Sequence, residues 1–270
     1  MAIHDAGRAS DAVVLLSVPL LLVTLFVLPR PVKLELALAY RNPTLPTVFV
    51  SHFVHLEVAH LLANLVAYLV VVPVIYVLGV LSGRRTAFLI AFVTLVVAFP
   101  FVLSGLNLLF PRPRVGYGFS GIAMAFVGLL TCVVWEYLVV QFGDEFDRDR
   151  SPVLFFFGTV IIAVRVVPSV PASLSVVGLA IVGSLLYLWP LITDPTVSAI
   201  EAMRKSVSYP GYFDTAVLGV FVVVAFPFAA FPSSPVVDGT VLNVYSHALG
   251  YCLGYLVPYS AFRVVGLSFE

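Results

Sequence analysis

Apolar residues run along this chain in long uninterrupted stretches, divided by short polar connections that carry most of the charge. Eight stretches stand out, at about residues 12–28, 58–81, 86–109, 119–142, 152–167, 172–193, 214–231 and 241–262. Most approach the roughly 20 residues that a helix needs to cross a bilayer. A helix that is apolar all round has no amphipathic face, so length and flanking charge, rather than periodicity, define these elements. The fifth stretch is short and carries Arg165 near its end, before "PSVP". An arginine in that place can snorkel to the interface, so the stretch is kept as a span. The first is too long and too uncharged upstream for a cleaved signal peptide, and no small-residue cleavage site follows it. The expectation is an all-α, polytopic membrane helix bundle of about eight transmembrane helices, forming a single domain over residues 1–270.

Composition sharpens that picture. The chain is 61% hydrophobic and 10% charged, with a mean hydropathy of +1.10, whereas soluble domains are about a quarter charged. The partner this implies is the lipid bilayer. A formal net charge of zero points to neither nucleic acid nor an acidic surface. Cys132 and Cys252 lie in apolar stretches without metal-ligand spacing and read as small buried hydrophobes. Neither a metal nor an organic cofactor is implied.

The distribution of cations gives an orientation. With the N-terminus cytoplasmic, the inner connections hold Arg8, Arg84, Arg85, Arg148, Arg150, Arg204, Lys205 and Arg263, against Arg30, Lys33, Arg41, Arg112 and Arg114 outside. The even-numbered stretches then run from outside to inside. His60 and Asn64 fall in the first two turns of the second, Ser120 in the first turn of the fourth, and His247 about two turns into the eighth. Ionisable and polar residues are costly inside a membrane, so four of them at one depth on three parallel helices mark a candidate site near the outer surface. A serine with a histidine in reach has a nucleophile and a base to activate it. His60 and Asn64, one turn apart on a face, can donate to an oxyanion, as can the Ser120 N–H at a helix start. Gly118 and Gly121 flank the serine. Gly250 and Gly254 form a small-residue face that would bring the His247 helix against the Ser120 helix.

On these residues the chain resembles the rhomboid intramembrane serine proteases. "GFSG" at 118–121 is similar to the family's G-x-S-G, "HLLAN" at 60–64 to its H-x-x-x-N, and "HALGYCLG" at 247–254 to its H-x-x-G-x-x-x-G. "FVHLEVAHLLANL" extends the likeness upstream and puts His55 at the place of a further family histidine. The resemblance implies a rhomboid-like core over about 40–142 and 210–262. It also implies Ser120 as nucleophile, His247 as general base, an oxyanion hole of His60, Asn64 and the Ser120 amide, and transmembrane proteins as substrates cleaved without a cofactor. The chain departs from the family in three places. Three stretches rather than one separate the serine from the last histidine, making 152–193 an extra helical pair. Met124 stands where the family often has an aromatic four residues after the serine, and Tyr40 with Arg41 stands for a tryptophan-arginine pair in the first long loop.

Plainer readings stand beside these. Alone, a serine at a helix start is a cap and a histidine near an interface is a polar anchor. His52 and His55 read as loop histidines bonded to backbone or water, and His4 as part of the N-terminal tail. Glu136 is about 24 Å along its helix from Ser120, too far to complete a triad. "GDEFDRDRS" at 143–151 is a solvated turn that lacks the carboxylate spacing of a calcium loop. "FPSSPVVDGT" at 231–240 has the composition of a flexible cover over a water-filled cavity. Two other classes stay open: a catalytically inactive relative that binds transmembrane helices, and a transporter, which would place its polar groups nearer the midplane on paired broken helices.

Overall fold

The computed structural model describes residues 8–110, 115–143, 148–167, 172–193, 207, 211–232, 236–237, 240–241 and 243–264. His4, Arg112, Arg114, Arg204, Lys205 and residues 233–235, 238 and 239 of the expected cover lie outside them. Eleven α-helices occur among the described residues: α1 (Ala9–Phe26), α2 (Arg30–Leu36), α3 (Leu45–Val50), α4 (Val58–Leu81), α5 (Arg85–Val97), α6 (Phe99–Leu108), α7 (Ser120–Phe142), α8 (Pro152–Val166), α9 (Ser173–Thr193), α10 (Tyr212–Ala230) and α11 (Val244–Val264). Two short antiparallel pairs join them, β1 (Leu38–Ala39) with β2 (Val115–Gly116), and β3 (Val236–Val237) with β4 (Thr240–Val241).

The chain is an all-α bundle of multi-pass membrane character. Helices α1, α4, α7 and α10 are each long and apolar enough to cross a membrane. The third apolar stretch, expected as one helix, is broken into α5 and α6 with a bend of 41°. Pro100 in the first turn of α6 explains the break, because it lacks an N–H and its ring clashes with the preceding turn. Taken as one span, the pair is the fifth. Length and hydropathy thus support four or five of the eight expected spans; α8 has 15 residues, and the apolar part of α9 is Ser173–Trp189.

The connection after α1, expected as a loop, contains α2, α3 and a 3₁₀ turn at Ser51–Phe53. Its signals were local: Pro31 and Pro46 in first turns, where proline is pre-organised, and Thr44 capping Thr47. Helix α11 begins at Val244 rather than 241, so His247 lies one turn into it instead of two.

Helix α7 is central. Of its most apolar window 72% is buried, against 17% for the peripheral α1. It meets α11 through glycines: a Cβ at Gly250 would stand 2.0 Å from the Gly121 carbonyl, one at Gly254 2.0 Å from that of Ala125, and one at Gly128 2.2 Å from that of Tyr251. Gly219 lets α10 settle against Leu78 of α4 and Val134 of α7. Helix α8 packs on α7, α10 and α11, and α9 packs chiefly on α8.

At the end of the bundle away from Ser120, charges pair. Asp11 is buried and accepts from Arg85 and from the Tyr76 hydroxyl at 2.7 Å, holding α1 to α4 and α5. Glu136 bridges Arg84 at 3.1 Å and Arg148 at 3.0 Å.

The glycine seam carries a prediction. A Cβ at Gly254 meets backbone within 2.0 Å, which cannot turn aside, whereas one at Gly178 meets nothing within 4 Å. Gly254→Ala should lower the melting temperature in detergent by several degrees, from an overpacking cost of about 1–3 kcal/mol and roughly 2–4 °C per kcal/mol. Gly178→Ala should leave it unchanged or raise it. Equal melting temperatures for the two variants would contradict the close approach of α7 and α11.

Candidate active site

The serine is delivered by a tight loop. After β2 pairs with β1, Gly118 donates its N–H to the Ser51 carbonyl at 3.0 Å and takes φ +107°, a conformation that favours glycine. A Cβ there would also lie 2.5 Å from His60 Cε1, so the loop and the first turn of α4 meet at this residue. Ser120 follows as the first residue of α7, half-buried. The first N–H groups of a helix have no intrahelical carbonyl to bond, which leaves the Ser120 amide open to a ligand.

The histidine is held from two sides. Asn243 caps α11 by accepting the Ser246 N–H at 3.1 Å. A Cβ at Gly121 would come 2.8 Å from Ser246 Oγ, so the neighbours of Ser120 and of His247 touch. His247 Nδ1 lies 3.1 Å from the Ala230 carbonyl at the end of α10. A carbonyl only accepts, so Nδ1 carries the proton and Nε2 keeps its lone pair. That Nε2 is buried and makes no hydrogen bond, to Ser120 or to any other described residue. Catalytic hydrogen bonds are often long before substrate binds. The aromatic ring beside His247 is that of Phe231, edge-on at 5.6 Å, while Met124 is buried in the core of α7.

His60 and Asn64 are placed differently from each other. The His60 ring stands over Gly118, edge-on to His55 at 4.9 Å, with Nδ1 buried and unbonded. The Asn64 amide is engaged, donating to the His60 carbonyl at 2.9 Å and to His55 Nε2 at 3.1 Å. His55 Nε2 also faces the Phe119 N–H at 3.5 Å, so Asn64 is tied to the serine loop through His55. Burial, with the His60 ring adding to it, pushes the His55 imidazole down to about 3.

Beside Ser120 is a polar cavity of about 40 Å³, lined among others by Ser246, His52, Ser104, Asn107 and Asn243. That is room for about three water molecules at roughly 10–15 Å³ each. The Ser104 hydroxyl donates to the Val48 carbonyl at 2.7 Å and stands 2.9 Å from His52 Nε2. Asn107 donates to the Leu103 carbonyl at 2.7 Å and accepts from Asn243 at 2.8 Å. Sequence reasoning read His52 as a loop histidine and passed over Ser104, Asn107, Asn243 and Ser246. The signal for two of them was present: Ser104 and Asn107 are three residues apart in an apolar helix, the same kind of spacing that singled out His60 and Asn64. Among the described residues, no three His, Cys, Asp or Glu side chains stand together as a metal site.

No family model matches the chain, and neither a curated protein nor a solved structure matches it.

Burial pushes the His52 imidazole down to about 4, against a smaller upward pull from the Pro100 carbonyl. The unfolded chain then binds more protons than the folded one between about pH 4 and the ordinary histidine value near 6.5. The contribution of neutral His52 is therefore complete above pH 6.5 and is lost as the pH falls towards 4. Melting temperature in detergent should fall across that window, and less steeply for His52→Gln. A His52→Gln slope equal to that of the wild type would show that His52 does not titrate in this way.

Proposed function

We propose that the protein is a rhomboid-type intramembrane serine protease, cleaving peptide bonds in or next to transmembrane segments of other membrane proteins. The observation that carries this reading is the state of His247. Its Nδ1–H is fixed by the Ala230 carbonyl, and its Nε2 lone pair is buried and unspent one residue from Ser246, which packs on the neighbour of Ser120. In a serine hydrolase the base needs that tautomer, and a group on Nδ1 to hold it. Here a main-chain carbonyl stands in the place a carboxylate takes in a triad.

In the proposed reaction Ser120 Oγ attacks the scissile carbonyl while His247 Nε2 takes its proton. The oxyanion is met by the Ser120 N–H and His60, and by Asn64 once its amide exchanges His55 for the oxyanion. His247 then protonates the leaving amine. Water from the cavity at Ser120 hydrolyses the acyl-enzyme, with His247 acting again as base. A pocket with room for water inside an apolar bundle suits a hydrolase. The segment 231–240, of which β3 and part of β4 form a short hairpin, is the proposed cover. Arg84, Arg85 and Arg148 gather at the end away from Ser120, which supports a cytoplasmic N-terminus and a site opening towards the outer side; the proposed location is the plasma membrane.

Purified protein treated with a fluorophosphonate should be labelled on one residue, Ser120, and His247→Ala should reduce the rate of labelling by at least about 10²-fold, in the range of a lost general base. Labelling at Ser246 would overturn Ser120 as the nucleophile, and no labelling at all on folded protein would overturn the reading in favour of a helix-binding protein without catalysis.

A further inference from the structure

Helix α10 ends beside the histidine, and its last carbonyls have no partners within the helix. Two successive ones are taken by side chains from different helices. The Ala230 carbonyl accepts His247 Nδ1–H at 3.1 Å, and the Phe231 carbonyl accepts Arg165 Nε–H at 3.1 Å. Arg165 is near the end of α8, within the helical pair that lies outside the part of the chain resembling a known family. Its guanidinium also stands 5.8 Å from the Phe228 ring, one turn back along α10. A cation at a helix C-terminus is favourable in itself. Phe231 is fully buried, and its ring packs edge-on against the His247 ring. Residue 231 therefore touches the histidine ring directly and carries, through the preceding peptide, the carbonyl that fixes the tautomer. Arg165 holds residue 231 in place.

The same helix grips α11 further along. Phe155 stacks on Tyr251 at 5.3 Å and on Tyr255 at 4.3 Å, and the Tyr251 hydroxyl donates to the Phe155 carbonyl at 2.9 Å. A Cβ at Gly158 would stand 2.2 Å from that hydroxyl, so the ring sits directly on α8. Helix α8 is thus joined to both helices whose relative position decides where His247 points.

From this we infer that Arg165 is a positioning residue for the general base, and that α8 braces the α10 terminus against α11. The inference rests on the protease reading above. Arg165 touches neither substrate nor Ser120; it acts through Phe231 and the Ala230 carbonyl.

The test compares Arg165→Met, which keeps length and loses the donor, with Arg165→Lys, which keeps a charged donor. Each is measured on the monodisperse folded fraction in detergent, with melting temperature recorded alongside. Fluorophosphonate labelling of Ser120 is expected to slow about tenfold in Arg165→Met and to stay within about threefold of the wild type in Arg165→Lys. For a cleaved transmembrane substrate, kcat should fall with KM unchanged, since substrate binding is not affected. Loss of active protein alone would also lower apparent kcat at unchanged KM, so each rate is normalised to the number of Ser120 sites labelled at completion. A lower rate per labelled site in Arg165→Met, with rescue by lysine, is the mark of positioning. Should the Met variant fail to give folded protein, Arg165→Gln, neutral but still a donor, takes its place with the expectation of an intermediate rate. Folded Arg165→Met or Arg165→Gln reacting at the wild-type rate, or Lys and Met variants slowed alike, would overturn the inference while leaving the protease reading intact. A wild-type protein unlabelled at Ser120 would instead overturn the protease reading, and this inference with it.

Discussion

The contact between the backbones of α7 and α11 is the constraint on which the rest of the structure depends. Lipid tails are as apolar as leucine, so helices in a membrane gain little from hiding apolar side chains, and close packing must supply the attraction instead. Gly121 and Gly128 on one helix and Gly250 and Gly254 on the other remove the atoms that would hold the two apart. Once the seam closes, the first turns of both helices are neighbours, and Ser120 and His247 are carried there together. An alanine on this seam adds one carbon where backbone already stands, and its cost falls on the whole Ser120 end of the bundle.

The Ser120 end holds an unusual load of buried polar groups. Asn64, Ser104, Asn107 and Ser246 all find partners, as buried polar groups generally must. Three imidazole nitrogens do not: His55 Nδ1, His60 Nδ1 and His247 Nε2. Leaving a buried donor or acceptor unmade costs about 1–3 kcal/mol, and functional sites are where folds retain such costs. The orphan on His247 is the lone pair that a general base uses. The orphan on His60 is at a ring that rests on the serine loop, where the proposed reaction puts its oxyanion. Charge pairing through Asp11 and Glu136 holds the opposite end together.

Much of this was legible in the residues. Uninterrupted apolar length located α4 and α7 to within a residue, because in a membrane length is itself the signal. His60, Asn64, Ser120 and His247 stood out as polar residues in apolar helices, and the glycine pair on α11 announced a close neighbour. Other features were not readable. The break at Pro100 was masked by continuous hydropathy on both sides of it, and α2 and α3, of seven and six residues, are too short to show a helical period. His52 and the residues of the cavity come together from α6, α11 and the connection before α4, a convergence that no local pattern encodes. The engagement of Asn64 with His55 has the same origin. Phe231 beside His247 shows the difference most simply: the sequence directs attention to position 124, four residues from the serine, while the ring comes from a helix end more than a hundred residues later.

The most direct measurement is cleavage of a single-span membrane protein co-reconstituted with this chain in liposomes, with the products mapped by mass spectrometry. The substrate should carry helix-breaking residues near its outer end, so that the scissile peptide can leave its helix. The account predicts a cut in or next to the transmembrane segment with the wild-type protein and an intact substrate with Ser120→Ala, at equal amounts of folded protein. Cleavage at an undiminished rate by purified Ser120→Ala would contradict it.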